Sequence, residues 1–236
     1  NAQYPLGRAR MFDDGRFYTP SGKAQFISVQ ARGPVNPPNV EYPLRLNTGR
    51  IRDQWHTMTR TALAARLNQH RPEPFVEIHP LDARRYELKH QGLAEIKSHW
   101  GSMLARVELT DAINPGNVFV PMHWSQQYAS AGRMGVLVNP VLDPVSKQPE
   151  SKHTPVAIRS LAPAWEGVVI TVDDCHLDAL ADYWVKIPAK EVASYRLAGR
   201  QAPLDWQIML KTLLAGSDLS GEWLSYQDPG RGDYRL

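Results

Sequence analysis

The sequence predicts a mainly β protein built around a closed barrel, with a smaller α/β extension after it. Several short strand-like runs surround one embedded helix, and no repeated strand–helix–strand pattern indicates a parallel open sheet. The 19 prolines and 16 glycines interrupt the chain often, which favours short strands and loops over long helices. We divide the chain into a lead-in strand with a proline-rich linker (residues 1–40), the barrel (41–160) and the extension (161–236).

The alternation of apolar and polar residues places the elements of the lead-in and the barrel. A turn at residues 20–22 precedes a predicted strand over residues 24–29. A short helix over residues 79–86 carries Pro80 in its first turn, a position that tolerates proline. Residues 99–102 join two strands into a hairpin. The barrel strands are predicted at residues 44–46, 75–78, 93–98, 103–109, 118–121 and 154–158.

The extension reads differently from the barrel. A strand is predicted over residues 167–172, and Asp173-Asp174 then predict the start of a helix that runs to Trp184. A second helix is predicted over residues 206–214, and the turn-rich tail over residues 226–233 is expected to be loose.

Composition and charge exclude several classes of protein. The net charge of +3 does not indicate a nucleic-acid partner, and no apolar run is long enough to span a membrane. Cys175 is the single cysteine, so the chain can form neither an internal disulfide nor a cysteine-ligated cluster. The start resembles no secretion signal and lacks an initiator methionine, so we expect a cytoplasmic chain that was processed or cut from something larger.

The segment from Asn47 to Thr61 is the strongest candidate for a binding loop. It follows a predicted strand and combines Gly49, three arginines, Trp55, His56 and several threonines. Glycine permits close approach of the backbone to a ligand, arginine binds phosphate through a planar fork, and aromatic rings stack on flat groups. This composition favours a large, flat, anionic ligand. The alternative is an ordinary solvated loop.

Two later segments have the same polar character and also lie next to predicted strands. Residues 121–128 contain His123 and Trp124, and residues 143–153 contain Lys147 and Lys152. Loops at one end of a barrel lie close together, so these segments are candidates for one shared rim. The alternatives are packing beside a turn for His123 and Trp124, and solvation for the two lysines.

The sequence contains no recognisable set of catalytic or metal-ligating residues. It has no Walker-type loop, no GxGxxG, no GxSxG and no HExxH motif. The acidic, cysteine and histidine residues at 173–176 are better explained as a helix start than as a metal site. We therefore assign no catalytic residue and no metal ligand to this chain.

Three segments resemble the C-terminal molybdopterin-dinucleotide-binding domain of assimilatory nitrate reductase, a molybdenum bis-pterin oxidoreductase. They are residues 46–61 (Leu-Asn-Thr-Gly-Arg-Ile-Arg-Asp-Gln-Trp-His-Thr-Met-Thr-Arg-Thr), residues 118–124 and residues 143–156. The resemblance implies a double-psi β-barrel, of the aspartate-decarboxylase-like kind, that binds bis-molybdopterin guanine dinucleotide. The cofactor-binding residues it implies are Thr48, Gly49, Arg50, Gln54, Trp55, His56, Thr57, Thr59, His123, Trp124 and Lys152.

The resemblance also implies what lies elsewhere in such an enzyme. The molybdenum ligand and the iron–sulfur cluster belong to upstream catalytic domains, and the electron donor is ferredoxin, flavodoxin or an NADH-linked subunit. We therefore expect this chain to take part in the reduction of nitrate to nitrite without reducing nitrate alone. One position departs from the pattern: the family usually has asparagine where this chain has Gly135, so a contact is lost or is supplied by Asn139 or by water.

Three other functions remain open from the sequence. A related molybdenum oxidoreductase such as formate dehydrogenase would use the same cofactor domain. A non-catalytic double-psi barrel would bind a protein or a nucleotide, as the barrels of some chaperone ATPases do. An RNA-binding module is disfavoured by the nearly balanced charge and by the lack of an RNP-like aromatic motif.

Overall fold

The computed structural model describes residues 10–28, 30–144, 146–172, 174–175, 177–178, 180–213, 226–228, 230 and 233–235. The chain separates into two compact units, residues 1–33 and residues 34–236. In the first unit the predicted turn is present, because the Gly22 N–H donates to the Thr19 carbonyl over 2.9 Å. The strand predicted over residues 24–29 is wrong: residues 24–28 form no strand, Val29 lies outside the described residues, and Phe26 and Ile27 are exposed.

Six strands of the second unit close into a barrel. Their order around the barrel is β1-β5-β2-β4-β3-β6. Two neighbouring pairs, β1 with β5 and β2 with β4, are parallel, and the other pairs are antiparallel. This mixture is consistent with a double-psi barrel and confirms the predicted fold class. The strands are β1 Leu44–Gly49, β2 Phe75–Ile78, β3 Leu93–Lys97, β4 Ser102–Leu109, β5 Asn117–Pro121 and β6 Thr154–Leu161.

The barrel interior is filled by alternate apolar side chains of the strands. In β1, Leu44 and Leu46 are buried while Arg45 and Asn47 are exposed, as a strand with one buried face requires. The same interior contains buried residues of every other strand, including Val76, Ile96, Val107, Val118 and Val156. Burial of this apolar surface is the main contribution to barrel stability.

One short helix is embedded in the barrel, as predicted. Helix α1 spans Pro80–Arg85, and His79 caps it by accepting the Leu81 N–H on Nδ1 over 3.1 Å. The buried Asp82 carboxylate accepts the Gly116 N–H over 2.6 Å and so ties α1 to the turn before β5. The helix thereby fixes the entry of β5, the strand that leads to His123.

The extension is a three-stranded antiparallel sheet, ordered β7-β9-β8, that packs on helix α2. Buried or half-buried Tyr195, Leu197, Trp206 and Met209 fill the space between sheet and helix. The elements are β7 Trp165–Thr171, β8 Tyr183–Pro188, β9 Ala193–Gly199 and α2 Trp206–Leu213, followed by a two-stranded pair, β10 Tyr226–Asp228 and β11 Asp233–Arg235.

Two expectations for the extension are wrong. The helix predicted from Asp173 to Trp184 is absent from the described residues between them, and Tyr183 and Trp184 begin β8 instead. The spacing of the apolar residues up to Trp184 fits either a helix or a strand. The pairing of Tyr183 with Ala198 in β9 shows that the residues from Tyr183 onward form a strand. The tail is not simply loose, since β10 pairs with β11; Asp173 itself lies outside the described residues.

A buried network of charged side chains joins the extension to the barrel. Glu73, which precedes β2, is 6% exposed and accepts hydrogen bonds from Arg106 Nε over 3.1 Å, Tyr183 Oη over 2.8 Å and Arg196 Nη1 over 2.5 Å. Arg106 also donates to both carboxylate oxygens of Glu166, over 3.2 and 2.7 Å. The network therefore holds all three strands of the extension sheet against β4 of the barrel.

Burial and the Glu73 carboxylate together raise the pKa of the Tyr183 phenol well above its ordinary value, burial being the larger cause. The phenol therefore remains a hydrogen-bond donor throughout the physiological pH range.

Candidate functional site

Strand β1 ends in the residues that begin the predicted binding loop. A Cβ on Gly49 would lie 3.2 Å from the Phe119 ring carbon Cε2 and 3.7 Å from Lys152 Nζ. The Gly49 carbonyl accepts the Met122 N–H over 3.0 Å, which fixes the end of β1 beside the segment that follows β5. A side chain at position 49 would therefore press on the Phe119 ring, so glycine lets the ring and the ammonium group lie close to the backbone here.

Thr48 and Lys152 join the first polar loop to the third. The Lys152 ammonium donates to the Thr48 carbonyl, so the lysine lies against the end of β1. The Thr48 side chain is 5% exposed, and no partner for its Oγ1 lies within hydrogen-bonding distance among the described residues. Thr48 shares the buried face of β1 with Leu44 and Leu46, so its hydroxyl faces the barrel interior, and a direct contact with a ligand stays a prediction.

His123 joins the second polar loop to the first. Its ring is fully buried; Nε2 accepts the Ile51 N–H over 2.9 Å, and Nδ1 lies 2.6 Å from the His56 carbonyl. A carbonyl only accepts and a backbone N–H only donates, so this geometry requires the neutral ring with its proton on Nδ1. One side chain therefore anchors the binding loop at two points.

The pKa of His123 is lowered from its ordinary value, and burial of the ring is the largest cause. The neighbouring Arg50 adds to the lowering, whereas the hydrogen bond to the His56 carbonyl opposes it. The ring is therefore neutral at neutral pH, which agrees with the tautomer that its two partners require.

The binding loop contains two residues in the left-handed region of backbone conformation. The φ angles of His56 and Met58 are 42° and 64°. Side chains other than glycine rarely adopt this region, and each such residue is stable only when its surroundings hold it. Here the surroundings are the bond from His123 to the His56 carbonyl and the burial of Met58, which is 4% exposed and packs in a cluster with Trp124. The loop is thus a preformed structure.

The outer side of the loop presents rings and hydroxyls to solvent. Trp55 is 55% exposed, its ring meets that of His56 edge to face at 4.6 Å, and the guanidinium carbon of Arg50 lies 4.9 Å from the tryptophan centroid. The hydroxyls of Thr57 and Thr59 lie 3.1 Å apart, and both residues are exposed. These five residues together offer a flat face, a cation and two hydroxyls.

Gln54 and Trp124 lie beneath the loop instead. Gln54 is 4% exposed, and its amide bonds to Thr61 and Asn68. Trp124 is 3% exposed and meets Phe75 edge to face at 6.5 Å. Both side chains support the loop from inside, and a direct contact of either with a ligand stays a prediction.

The departure at Gly135 is visible in the structure. Gly135 is exposed, and a Cβ placed there would meet nothing within 4 Å. Asn139 does not replace a missing side chain at that position, because it is fully buried and its amide bonds to the Val141 N–H over 2.8 Å and to Glu150 over 2.7 Å. Loss of the contact, or its supply by water, stays a prediction.

The loop region carries a local excess of positive charge. Residues 45–71 contain six arginines and one acidic residue, Asp53, so this segment alone is more positive than the net +3 of the whole chain. Arg52 bonds to Asp53 through Nε over 2.9 Å, and His70 contacts the same carboxylate. This pairing lowers the pKa of Asp53, with the Arg52 hydrogen bond as the largest cause. Arg50, in contrast, lies on the ring of Trp55 beside Gly49.

The sequence revealed neither Asn68 nor the pairing of Asp53 with His70 as parts of this region. Asp53 lies inside the motif, but nothing in its spacing predicts a pair with His70. Asn68 lies outside the motif; it is 5% exposed and bonds to Pro188 of the extension, a contact that the sequence does not indicate.

Comparison with known proteins identifies the barrel. Residues 44–155, which begin with β1 and end within β6, match the family described as the molydopterin dinucleotide binding domain. Residues 44–155 are a molydopterin dinucleotide binding domain. The three loops that meet at the rim of this domain are the same three segments that carry the resemblance in the sequence.

Similar proteins extend the likeness beyond the barrel. The chain is 44% identical over 187 residues to a nitrate reductase from Klebsiella oxytoca, covering 79% of this chain and 22% of that protein. It is 35% identical over 154 residues to the assimilatory nitrate reductase catalytic subunit of Bacillus subtilis, covering 64% and 21%. It is 33% identical over 146 residues to the F420-dependent formate dehydrogenase subunit alpha of Methanocaldococcus jannaschii, covering 62% and 21%. The chain spans about a fifth of the length of these relatives.

Proposed function

We propose that this chain is the cofactor-binding part of a molybdenum-dependent nitrate reductase, and that it holds bis-molybdopterin guanine dinucleotide. The observation that carries the proposal is the likeness to a nitrate reductase at 44% identity over 79% of the chain, which exceeds the span of the barrel domain. The formate dehydrogenase likeness is weaker in both identity and coverage.

The residues at the rim suit such a cofactor. A dinucleotide contains a pyrophosphate, which requires cations and backbone or hydroxyl donors, and flat rings, which require aromatic faces. Gly49 lets the backbone lie close to the Phe119 ring and the Lys152 ammonium, and Lys152 and Arg50 supply positive charge. A contact of the buried Thr48 hydroxyl with the cofactor stays a prediction. Trp55 and His56 supply ring faces, and Thr57 and Thr59 supply further hydroxyls.

Support for the loop comes from buried side chains that need not touch the cofactor. His123 fixes two backbone groups of the loop, and Gln54 and Trp124 lie beneath it. A binding surface held in place before the ligand arrives loses little entropy on binding. We therefore assign binding to the exposed residues and positioning to these three buried ones.

When bound, the molybdenum cofactor supplies the two-electron chemistry by which nitrate, with two protons, becomes nitrite and water. This chain contributes binding and orientation. Upstream catalytic domains provide the molybdenum ligand and an iron–sulfur cluster, and ferredoxin, flavodoxin or an NADH-linked subunit provides electrons. We place the enzyme in the cytoplasm and expect the 236-residue chain to reduce no nitrate by itself.

The natural polypeptide provides the test. We expect an intact mass far above 26.6 kDa, with molybdenum, iron and a guanine nucleotide released on acid extraction, and nitrate reduction with dithionite and viologen. A natural mass near 26.6 kDa without metal or nucleotide would refute the proposal and favour a binding module. Formate oxidation by the intact protein without nitrate reduction would instead support the formate dehydrogenase alternative.

A further inference from the structure

We infer that Asn68 is a positioning residue for the binding loop, and that the extension takes part in cofactor binding through the backbone carbonyl of Pro188. The inference rests on the proposed function of the loop. It concerns a residue outside the motif and a strand, β8, outside the barrel domain.

A chain of hydrogen bonds runs from the loop to the extension. The Trp55 N–H donates to Thr61 Oγ1 over 3.3 Å, and the Thr61 hydroxyl donates to Gln54 Oε1 over 2.7 Å. Gln54 Nε2 donates to Asn68 Oδ1 over 3.1 Å. Asn68 Nδ2 then donates to the Pro188 carbonyl, the last residue of β8, over 3.0 Å.

The contacts of Asn68 determine which groups donate and which accept in this series of hydrogen bonds. Asn68 Nδ2 also lies 2.9 Å from the Ala62 carbonyl, so it faces two groups that can only accept. Its amide nitrogen must therefore point toward them, and its oxygen must accept from Gln54. This orientation of Asn68, together with the Leu67 carbonyl 3.4 Å from Gln54 Nε2, fixes the Gln54 amide. Gln54 Oε1 then accepts the Thr61 hydroxyl proton, which leaves a lone pair of that hydroxyl oxygen for the Trp55 N–H.

The burial of the two amides gives the chain its rigidity. Gln54 and Asn68 are 4% and 5% exposed, so water cannot readily replace a broken bond. The 3-10 turn Ala65–Asn68 carries Asn68, and the loop residue Met58 shares a hydrophobic cluster with Tyr183 and Val185 of β8. Trp55 and Thr61 are therefore held from the extension, while Ile51 and His56 are held by His123.

The separate anchors permit a selective test by amide hydrogen exchange in the full chain. In N68D, a carboxylate faces two carbonyls and the two donors are lost. We expect exchange of the Trp55 amide to rise about tenfold while that of Ile51, held by His123, changes little. Guanosine diphosphate, the nucleotide fragment of the proposed cofactor, should bind several-fold more weakly.

N117D is the matched control, because Asn117 Nδ2 also donates to two backbone carbonyls, those of Asn114 and Pro115, at the other end of β5. It should alter neither amide. N68A, which removes the same two donors without adding a charge, should show the same selective rise at Trp55 if N68D fails to fold.

Equal acceleration at Trp55 and Ile51 would overturn the inference, because it would indicate general destabilisation. Unchanged exchange at Trp55, or selective exchange with unchanged nucleotide affinity, would also overturn it. Failure of the unaltered chain to bind guanosine diphosphate would count against the proposed function, and the exchange data would still decide the role of Asn68 in holding the loop.

Discussion

Replacement of His123 with leucine should release the binding loop (residues 47–61) from the segment that follows β5. It should also change the pH dependence of the free energy of unfolding. The ring is fully buried and bonds to two backbone groups of the binding loop, the Ile51 N–H and the His56 carbonyl. Leucine has a similar volume but removes both hydrogen bonds. It leaves the half-buried Ile51 N–H without a partner and releases the left-handed backbone at His56.

The magnitude follows from the exposure of the groups left behind. A buried donor without a partner costs about 1–3 kcal/mol, whereas a carbonyl on the exposed His56 can bond to water. Leucine recovers part of this through apolar burial. We therefore expect H123L to lower the free energy of unfolding by about 2 kcal/mol at pH 7.5, measured by urea denaturation.

The pH dependence provides the sharper test. Because the folded-state pKa of His123 lies below its ordinary value of 6.5, the unfolded chain binds the proton more tightly. The stability due to the neutral ring is fully present above pH 6.5 and declines as the pH falls toward the lowered folded-state pKa. The unaltered chain and H123L should therefore differ less in free energy of unfolding as the pH falls below 6.5.

Nitrogen chemical shifts of the ring should show the proton on Nδ1. H99L, at an exposed histidine, is the control and should change the free energy of unfolding by no more than about 0.5 kcal/mol at pH 7.5. Two results would contradict this role of His123. One is a loss of less than about 0.5 kcal/mol in the free energy of unfolding of H123L; the other is a difference in that free energy from the unaltered chain that stays constant with pH.

Two further substitutions test other parts of the account. E73A should lower the free energy of unfolding by about 3–5 kcal/mol in a urea titration, because it leaves the buried Arg106 and Tyr183 without a shared acceptor. The control E166Q, at the half-exposed end of the network, should lower it by about 1 kcal/mol or less. Equal losses in the two variants would contradict the central role of Glu73. G49A should weaken binding of guanosine diphosphate by about tenfold in calorimetry, because the new methyl group enters the space beside Phe119 and Lys152. The control G33A adds its methyl group to open space outside the barrel unit and should leave the affinity unchanged. Equal affinities for G49A and the unaltered chain would contradict the role of Gly49.

The barrel could be predicted from the sequence because its strands are short, alternating and separated by clear turns. Residues 75–78, 93–97 and 102–109 form strands close to the predicted bounds, and Pro80 begins a helix as expected. The closed barrel follows from the lack of a strand–helix–strand repeat. The extension was less predictable: Tyr183 and Trp184 fit a helical period, and only their pairing with β9 makes them a strand.

Convergence of the three polar loops was predicted, but the different roles of their residues were not. The motif gave no means of telling the exposed Trp55 from the buried Gln54, since both are polar-loop residues one position apart. His123 could be selected from the sequence, but the double anchorage of the loop depends on contacts with Ile51 and His56 that are 72 and 67 positions away. Asn68 gave no signal because its partner, Pro188, is 120 positions away.

The central claim is that the rim formed by Gly49, Trp55 and Lys152 binds the nucleotide part of a pterin dinucleotide. A titration of the isotope-labelled full chain with guanosine diphosphate, followed by amide chemical shifts, tests it most directly. We expect saturable shifts that cluster at residues 48–61 and around Lys152 and are absent from α2. No saturable shift, or shifts centred on the extension, would contradict it.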